Sequence, residues 1–257
     1  MINPWEMGIK LSNVYCLARD NPNPTEEDYK EAWAKDFSEE KNVTIEEARK
    51  EFERAMIRQE ADEICAKLEE ENRRVEKAEV PQDLKYSTLK NFNATTDEKI
   101  GLLTAAKKML EEKNFLTLVL CGNNGTGKTH IGVSLIREFG GKYRMSNSIC
   151  TEYQDAKRKY SESAEALIKN YSQEAFLVID ELGFTVDGFN DSPLIQLILM
   201  NRISAGKKTV LISNKDKEQS LNDLGPKIYD RLKTCGLVLE LKDRSYREQQ
   251  FEERRPA

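Results

Sequence analysis

The segment Gly122-Asn123-Asn124-Gly125-Thr126-Gly127-Lys128-Thr129 has the spacing G-x-x-x-x-G-K-T. The apolar run Leu116 to Cys121 precedes it and reads as a short buried strand, and Lys128 to Phe139 carries helical periodicity. Strand, glycine-rich turn and helix in that order make a cradle for phosphate. Glycines let backbone N–H groups wrap an anion, and the helix presents its positive end to it. Lys128 is expected to reach the β and γ phosphates, and the Thr129 hydroxyl to ligate Mg²⁺. Residues 122–129 are therefore the expected cofactor site, for ATP with Mg²⁺. His130, the single histidine, follows directly. Without a cysteine cluster it is not a metal site. It is counted with the nucleotide-binding residues, although packing alone would account for it.

Downstream, Phe176-Leu177-Val178-Ile179-Asp180-Glu181 is a buried strand closed by two carboxylates. Asp180 is expected to hold Mg²⁺ through water, and Glu181 to orient and deprotonate the attacking water. A third apolar strand, Thr209 to Ser213, ends in Asn214. Ligands of open parallel sheets sit at the carboxyl ends of strands, so Asn214 is placed to polarise the water or the γ-phosphate. Arg231 lies on a short helix before the last strand, Leu237 to Leu241, and local sequence assigns it no role.

Helices alternate with these strands. They are expected over 97–112, 128–139, 151–170, 193–204, 217–223 and 226–234, with a weak strand over 143–146. Five strands alternating with helices predict an α/β fold with a five-stranded, mostly parallel sheet. Ahead of it, Asn21-Pro22-Asn23-Pro24 breaks the chain. Thr25-Glu26-Glu27-Asp28 resembles a helix start, and Thr44-Ile45-Glu46-Glu47 is a capping box opening a long helix. That helix carries an apolar face through Ile45, Ala48, Phe52, Ala55, Met56, Ile64 and Leu68, which must pack on its neighbours or on a partner. The pattern stops at Pro81. The expected division is thus 1–80, a small helical partner-binding region, and 81–257, the nucleotide-binding domain.

Charge divides the same way. Residues 25–80 hold 19 acidic and 11 basic side chains, a balance of −8, and residues 1–24 are neutral. Against a net charge of −5, the remainder is +3, so overall acidity does not argue against nucleic acid. Five scattered cysteines favour reduced thiols and a cytoplasmic setting. The longest apolar run is too short to span a bilayer, and no membrane association is expected.

The stretches GNNGTGKTH (122–130), FLVIDELG (176–183), TVLISNKD (209–216) and YDRLKTCG (229–236) resemble, in order and spacing, the AAA+ ATPases of the DnaC/IstB type. These are the replicative helicase loaders and the related transposition ATPases. VPQDLKYSTLKNF (80–92) looks like that family's lead-in, and Asp243-Arg244-Ser245-Tyr246-Arg247 like its ending. The resemblance covers about residues 80–250. It implies an AAA+ core without a carboxyl-terminal helical lid, assembled into an ATP-bound oligomer whose subunits share active sites. It implies that Lys128 and Thr129 are the P-loop pair, Asp180 and Glu181 the acidic pair, and Asn214 the polar sensor. Arg231 matches the arginine finger that enters a neighbour's site, and Phe92 would lie near the adenine. Some relatives carry zinc near the amino terminus, where this chain has only Cys16 and Cys65 and no histidine.

Such ATPases bind single-stranded DNA in the assembled ring or spiral. Tyr153, Lys157, Arg158, Lys159 and Tyr160, on the helix after the second strand, combine positive charge with aromatic faces and are the DNA candidates. The leading expectation is a helicase loader, a slow ATPase stimulated by its partners. It would bind a replicative helicase through residues 1–80 and place it on single-stranded DNA. The alternatives are an IstB-like ATPase delivering target DNA to a transposase, and a nucleotide-gated adaptor with little hydrolysis.

Overall fold

The structure, a computed structural model, describes residues 25–159, 161–183, 185–186, 189–246 and 248. The chain forms two compact units, residues 1–70 and 71–257.

The first unit contains α1 (Glu26–Lys41) and most of α2 (Ile45–Lys77). Both capping signals act as the sequence predicts. Thr25 and Asp28 cap each other's ends of the first turn of α1, as Thr44 and Glu47 do for α2. Between the helices sits a small aromatic cluster. Trp33 stacks on Phe37, with ring centroids 4.6 Å apart, and packs against Phe52. Lys30 pairs with Glu53 and Arg49 with Glu31, each at 2.8 Å. The apolar face of α2 is only half used: Ala48 and Phe52 are buried, while Ile45, Ile64 and Leu68 are exposed.

The second unit is built on β1 (Thr117–Gly122), β2 (Lys142–Met145), β3 (Phe176–Asp180), β6 (Lys208–Ile212) and β7 (Gly236–Leu241). Their order is β2-β3-β6-β1-β7 and every pairing is parallel. The inner strands β1, β3 and β6 are almost wholly apolar because both faces of the sheet are covered there, while the edge strands β2 and β7 carry Lys142, Arg144 and Glu240. Period-two alternation divides β1, β3 and β6 between two cores. Leu118, Leu120, Val178, Val210 and Ile212 face α3 (Asp97–Glu111) and α4 (Lys128–Phe139). Val119, Leu177, Ile179 and Leu211 face the opposite core with α5 (Ser146–Lys159), α6 (Ser161–Gln173), α7 (Ser192–Ser204) and α8 (Lys217–Cys235). No helical lid follows β7 among the described residues.

Three elements differ from expectation or refine it. The single helix expected over 151–170 is two helices, α5 and α6, that pack on each other. Their inward residues lie at the two ends, Ile149 and Cys150 in one and Leu167, Ile168 and Tyr171 in the other. Lys157, Arg158 and Lys159, at the end of α5, are exposed and offer nothing to bury. A short antiparallel pair, β4 (Thr185–Val186) with β5 (Phe189–Asn190), was not expected. The short helices expected over 217–223 and 226–234 follow one another along α8, separated as expected by the non-helical Gly225 (φ 76°) before Pro226.

Candidate nucleotide site

The carboxyl edge of the sheet carries the site. At the end of β1 the chain turns at Gly122 (φ 104°), whose N–H donates to the Lys215 carbonyl at 2.8 Å. A Cβ there would lie 2.2 Å from the Leu241 carbonyl oxygen, so β7 can approach only a glycine. Gly127 (φ 96°) is the N-cap of α4, and a Cβ on it would strike the Phe92 ring. The loop between directs the amino end of α4 toward a cleft of about 750 Å³.

Lys128 is buried at the first position of α4. Its ammonium donates to the carbonyls of Gly122 (2.9 Å) and Asn123 (2.5 Å). Burial pushes its pKa down to about 8, with Asp180 pulling it back up. Thr129 donates to Asp180 Oδ2 at 2.9 Å, joining the P-loop helix to the end of β3. The same oxygen accepts from the Tyr143 hydroxyl at 2.8 Å, and Oδ1 accepts from the Glu181 N–H at 2.7 Å. Burial and the neighbouring Asp180 carboxylate drive the Tyr143 phenol far above its ordinary range, so it acts here as a neutral donor.

Glu181 adopts φ 57°, a left-handed conformation that costs a non-glycine residue on the order of 1 kcal/mol. Ser146 Oγ donates to its carbonyl at 2.7 Å, and the following Leu182 N–H donates to the Ile212 carbonyl at 2.8 Å. These bonds hold the turn that leaves Glu181 lining the cleft. Asn214, exposed just past β6, lines it too; β6 lies between β1 and β3, so Asn214 sits between the P-loop and the acidic pair.

The lead-in supplies another wall through Pro81, Leu84, Asn91, Phe92 and Asn93. His130 Nε2 lies 3.0 Å from the Thr88 carbonyl, which can only accept, so Nε2 carries the proton. Burial lowers the His130 pKa against the opposing pull of that bond. Its ring lies 5.3 Å from that of Phe92. The segment after β7 closes over the loop: Tyr246 N–H donates to the Gly125 carbonyl and Asn123 Nδ2 to the Lys242 carbonyl, both at 2.9 Å.

Of the expected nucleotide residues, Asn124, Gly125, Thr126, Gly127, Lys128, Thr129, His130, Phe92, Asp180, Glu181 and Asn214 line the cleft. Gly122 and Asn123 stand behind it, anchoring the loop to Lys215 and to Leu241 and Lys242. Arg231 is not among the lining residues; it is exposed on α8. Sequence reading missed Tyr143 and Tyr246, whose roles depend on chain neighbours far away in sequence. Lys157, Arg158 and Lys159 are exposed at the end of α5, with Arg158 3.6 Å from Asp155. Tyr153 is partly buried against the core, and Tyr160 lies outside the described residues.

The oxygen-only donor set suits Mg²⁺, which takes one or two protein ligands and completes its shell with phosphate and water. The Thr129 hydroxyl and the Asp180 carboxylate already meet at one point beside Glu181, as that use requires. No cluster of three or more His, Cys, Asp or Glu suited to a metal occurs among the described residues. No helix among them is long and apolar enough to cross a membrane.

The family model for IstB-like ATP binding protein matches residues 28–254. The replicative helicase loader DnaC of Escherichia coli (strain K12) is 25% identical over 153 residues, covering 57% of this chain and 62% of that protein. DnaC of Buchnera aphidicola subsp. Schizaphis graminum is 29% identical over 156 residues, covering 57% and 63%. The match thus spans somewhat under two thirds of the length of these relatives. Among solved structures, a DnaC helicase loader superposes with a TM-score of 0.53 at 16% identity, over 63% of this chain and all of that one. A replication initiator DnaA bound to AMPPCP and single-stranded DNA gives 0.51 at 18% identity, over 65% and 55%.

Proposed function

The chain belongs to the IstB-like ATP-binding proteins, and on that premise we propose that it is a Mg²⁺-dependent ATPase that loads a replicative helicase onto single-stranded DNA. The observation that carries the ATPase reading is the meeting of Thr129, Asp180 and Glu181 at the mouth of the P-loop. In this reading, loop amides and Lys128 bind the β and γ phosphates. Lys128 then exchanges its bonds to the Gly122 and Asn123 carbonyls for bonds to phosphate. A bound Mg²⁺ would supply neutralisation of the phosphate charge. Thr129 and Asp180 would hold it, with Tyr143 fixing the Asp180 carboxylate. Glu181 accepts the proton of the attacking water, and Asn214 orients that water or the γ-phosphate. Arg231, exposed and outside its own cleft, supplies its guanidinium to the site of an adjacent subunit in an oligomer.

The loader reading is supported by the DnaC relatives and by the acidic, half-covered α2. The acidic amino-terminal region, residues 1–80, repels phosphate and is assigned to the protein partner. The exposed cations Lys157, Arg158 and Lys159 are assigned to single-stranded DNA. The IstB-like family match favours a second reading, delivery of target DNA to a transposase. The test is a loading assay with the replicative helicase of the source cell on single-stranded DNA, using the full chain and a chain lacking residues 1–70. The full chain should load the helicase with ATP and the truncated one should not, while both bind ATP. Failure of the full chain to bind or load that helicase would contradict the loader reading and turn attention to the transposase.

A further inference from the structure

Among the described residues, two lysines and no arginine line the cleft: Lys128 and Lys99. Lys99 is the third residue of α3, where its N–H donates to the N-cap Thr96 at 3.3 Å. It is 5% exposed. Its position is unfavourable in two ways. Lysine is almost never this buried unless paired. The first turn of a helix bears the positive end of the dipole, which disfavours a cation.

Among the described residues, the Lys99 ammonium forms no ion pair or hydrogen bond. Among the described residues, none of the acids that line the cleft, Asp83, Asp180 and Glu181, bonds to it. Glu98 accepts the N–H groups of Lys242 and Asp243 at 2.7 and 3.0 Å, and Asp180 is held by Thr129 and Tyr143. Nor is the ammonium sealed in the core. Among the described residues, the sealed side-chain polar atoms without partners are Trp33 Nε1 and Thr117 Oγ1. The lysine stem is therefore buried while its charge opens on the cleft.

A residue that breaks local rules without local compensation is expected where a ligand compensates it. The geometry points to which part of the ligand. Glu98 and Thr96 tie the start of α3 to residues 242–243. That segment is tied in turn to the phosphate loop through Asn123 and Gly125. The first turn of α3 is thus fixed against the loop that cradles phosphate. We propose that Lys99 is a second cationic contact to the nucleotide, its ammonium donating to phosphate oxygens. This rests on the reading of the cleft as an ATP site.

Lys99→Met keeps the length and apolar bulk of the side chain and removes its charge. The experiment titrates ATP, ADP and adenosine into the full wild-type chain and this variant, and measures melting without nucleotide. In Lys99→Met, ATP and ADP affinity should fall about tenfold or more, the usual effect of losing a charged hydrogen bond. Adenosine affinity should change less than about twofold. The nucleotide-free melting temperature should not fall, because the apolar stem is kept and a cation at the positive end of the α3 dipole is gone. Lys99→Arg should retain most of the affinity, and Lys99→Gln replaces Lys99→Met if that variant does not fold. Unchanged ATP and ADP affinity, or an equal loss for adenosine, would overturn the proposal. A wild-type chain that binds neither nucleotide would overturn the reading of the cleft itself, and this inference with it.

Discussion

Lys128 has a depressed pKa, about 8, because burial disfavours its charge and its partners are neutral carbonyls. Phosphate restores the charged form. At pH about 9, ATP binding should therefore take up a proton, and at pH 7 it should take up none. ATP affinity should decline as pH rises through 8. For nucleotide-free stability the sign is the reverse: between about 8 and the unfolded lysine value of about 10.4 the unfolded chain binds more protons, so this group adds stability as pH rises. Calorimetry in two buffers of different ionisation heat measures the uptake, and equal uptake at both pH values would contradict the assignment. Lys128, Thr129, Asp180, Glu181 and Asn214 were legible in the sequence because each stands at a fixed step from a strand end. Tyr143 was not, because it reaches Asp180 from the neighbouring strand, 37 residues away, and strand order is not written in any local pattern.

At the scale of elements, the strands were legible because a parallel sheet covered on both faces demands unbroken apolar runs, and β1, β3 and β6 supply them. The break between α5 and α6 was not, since helical periodicity runs through it and only the position of the core shows the reversal. The β4–β5 pair had one cue, Asp187-Gly188 between its short strands. One joint between elements was invisible beforehand. Arg202 of α7 is fully buried and donates to the carbonyls of Tyr171, Glu174 and Lys208 and to Thr209 Oγ1. It thereby closes the end of α6 and fastens α7 to β6. Arg202→Ala leaves these acceptors buried and should cost about 3 kcal/mol or more of stability. A denaturation midpoint shifted by less than about 1 kcal/mol equivalent would mean that other groups close this joint.

At the scale of the whole molecule, the exposed Arg231 and the self-contained P-loop side of the cleft suit a site completed by a second copy. Arg231→Ala should bind ATP and hydrolyse it poorly, since such a guanidinium is worth roughly 10³ to 10⁵ in turnover. Lys128→Ala should be inactive for lack of tight ATP binding. Mixing the two should recover part of the activity in proportion to assembly, followed by light scattering; a mixture as inactive as either parent would place Arg231 outside the site. The half-covered apolar face of α2 could be predicted to need a partner, but its residues do not name one. The central claim, that this cleft hydrolyses ATP, is tested most directly by measuring ATP binding and turnover together in the wild-type chain and in Glu181→Gln. The account predicts that Glu181→Gln binds ATP as tightly as wild type and turns it over at least about a hundredfold more slowly, in line with the loss of a general base. Turnover by Glu181→Gln equal to that of the wild type would contradict it.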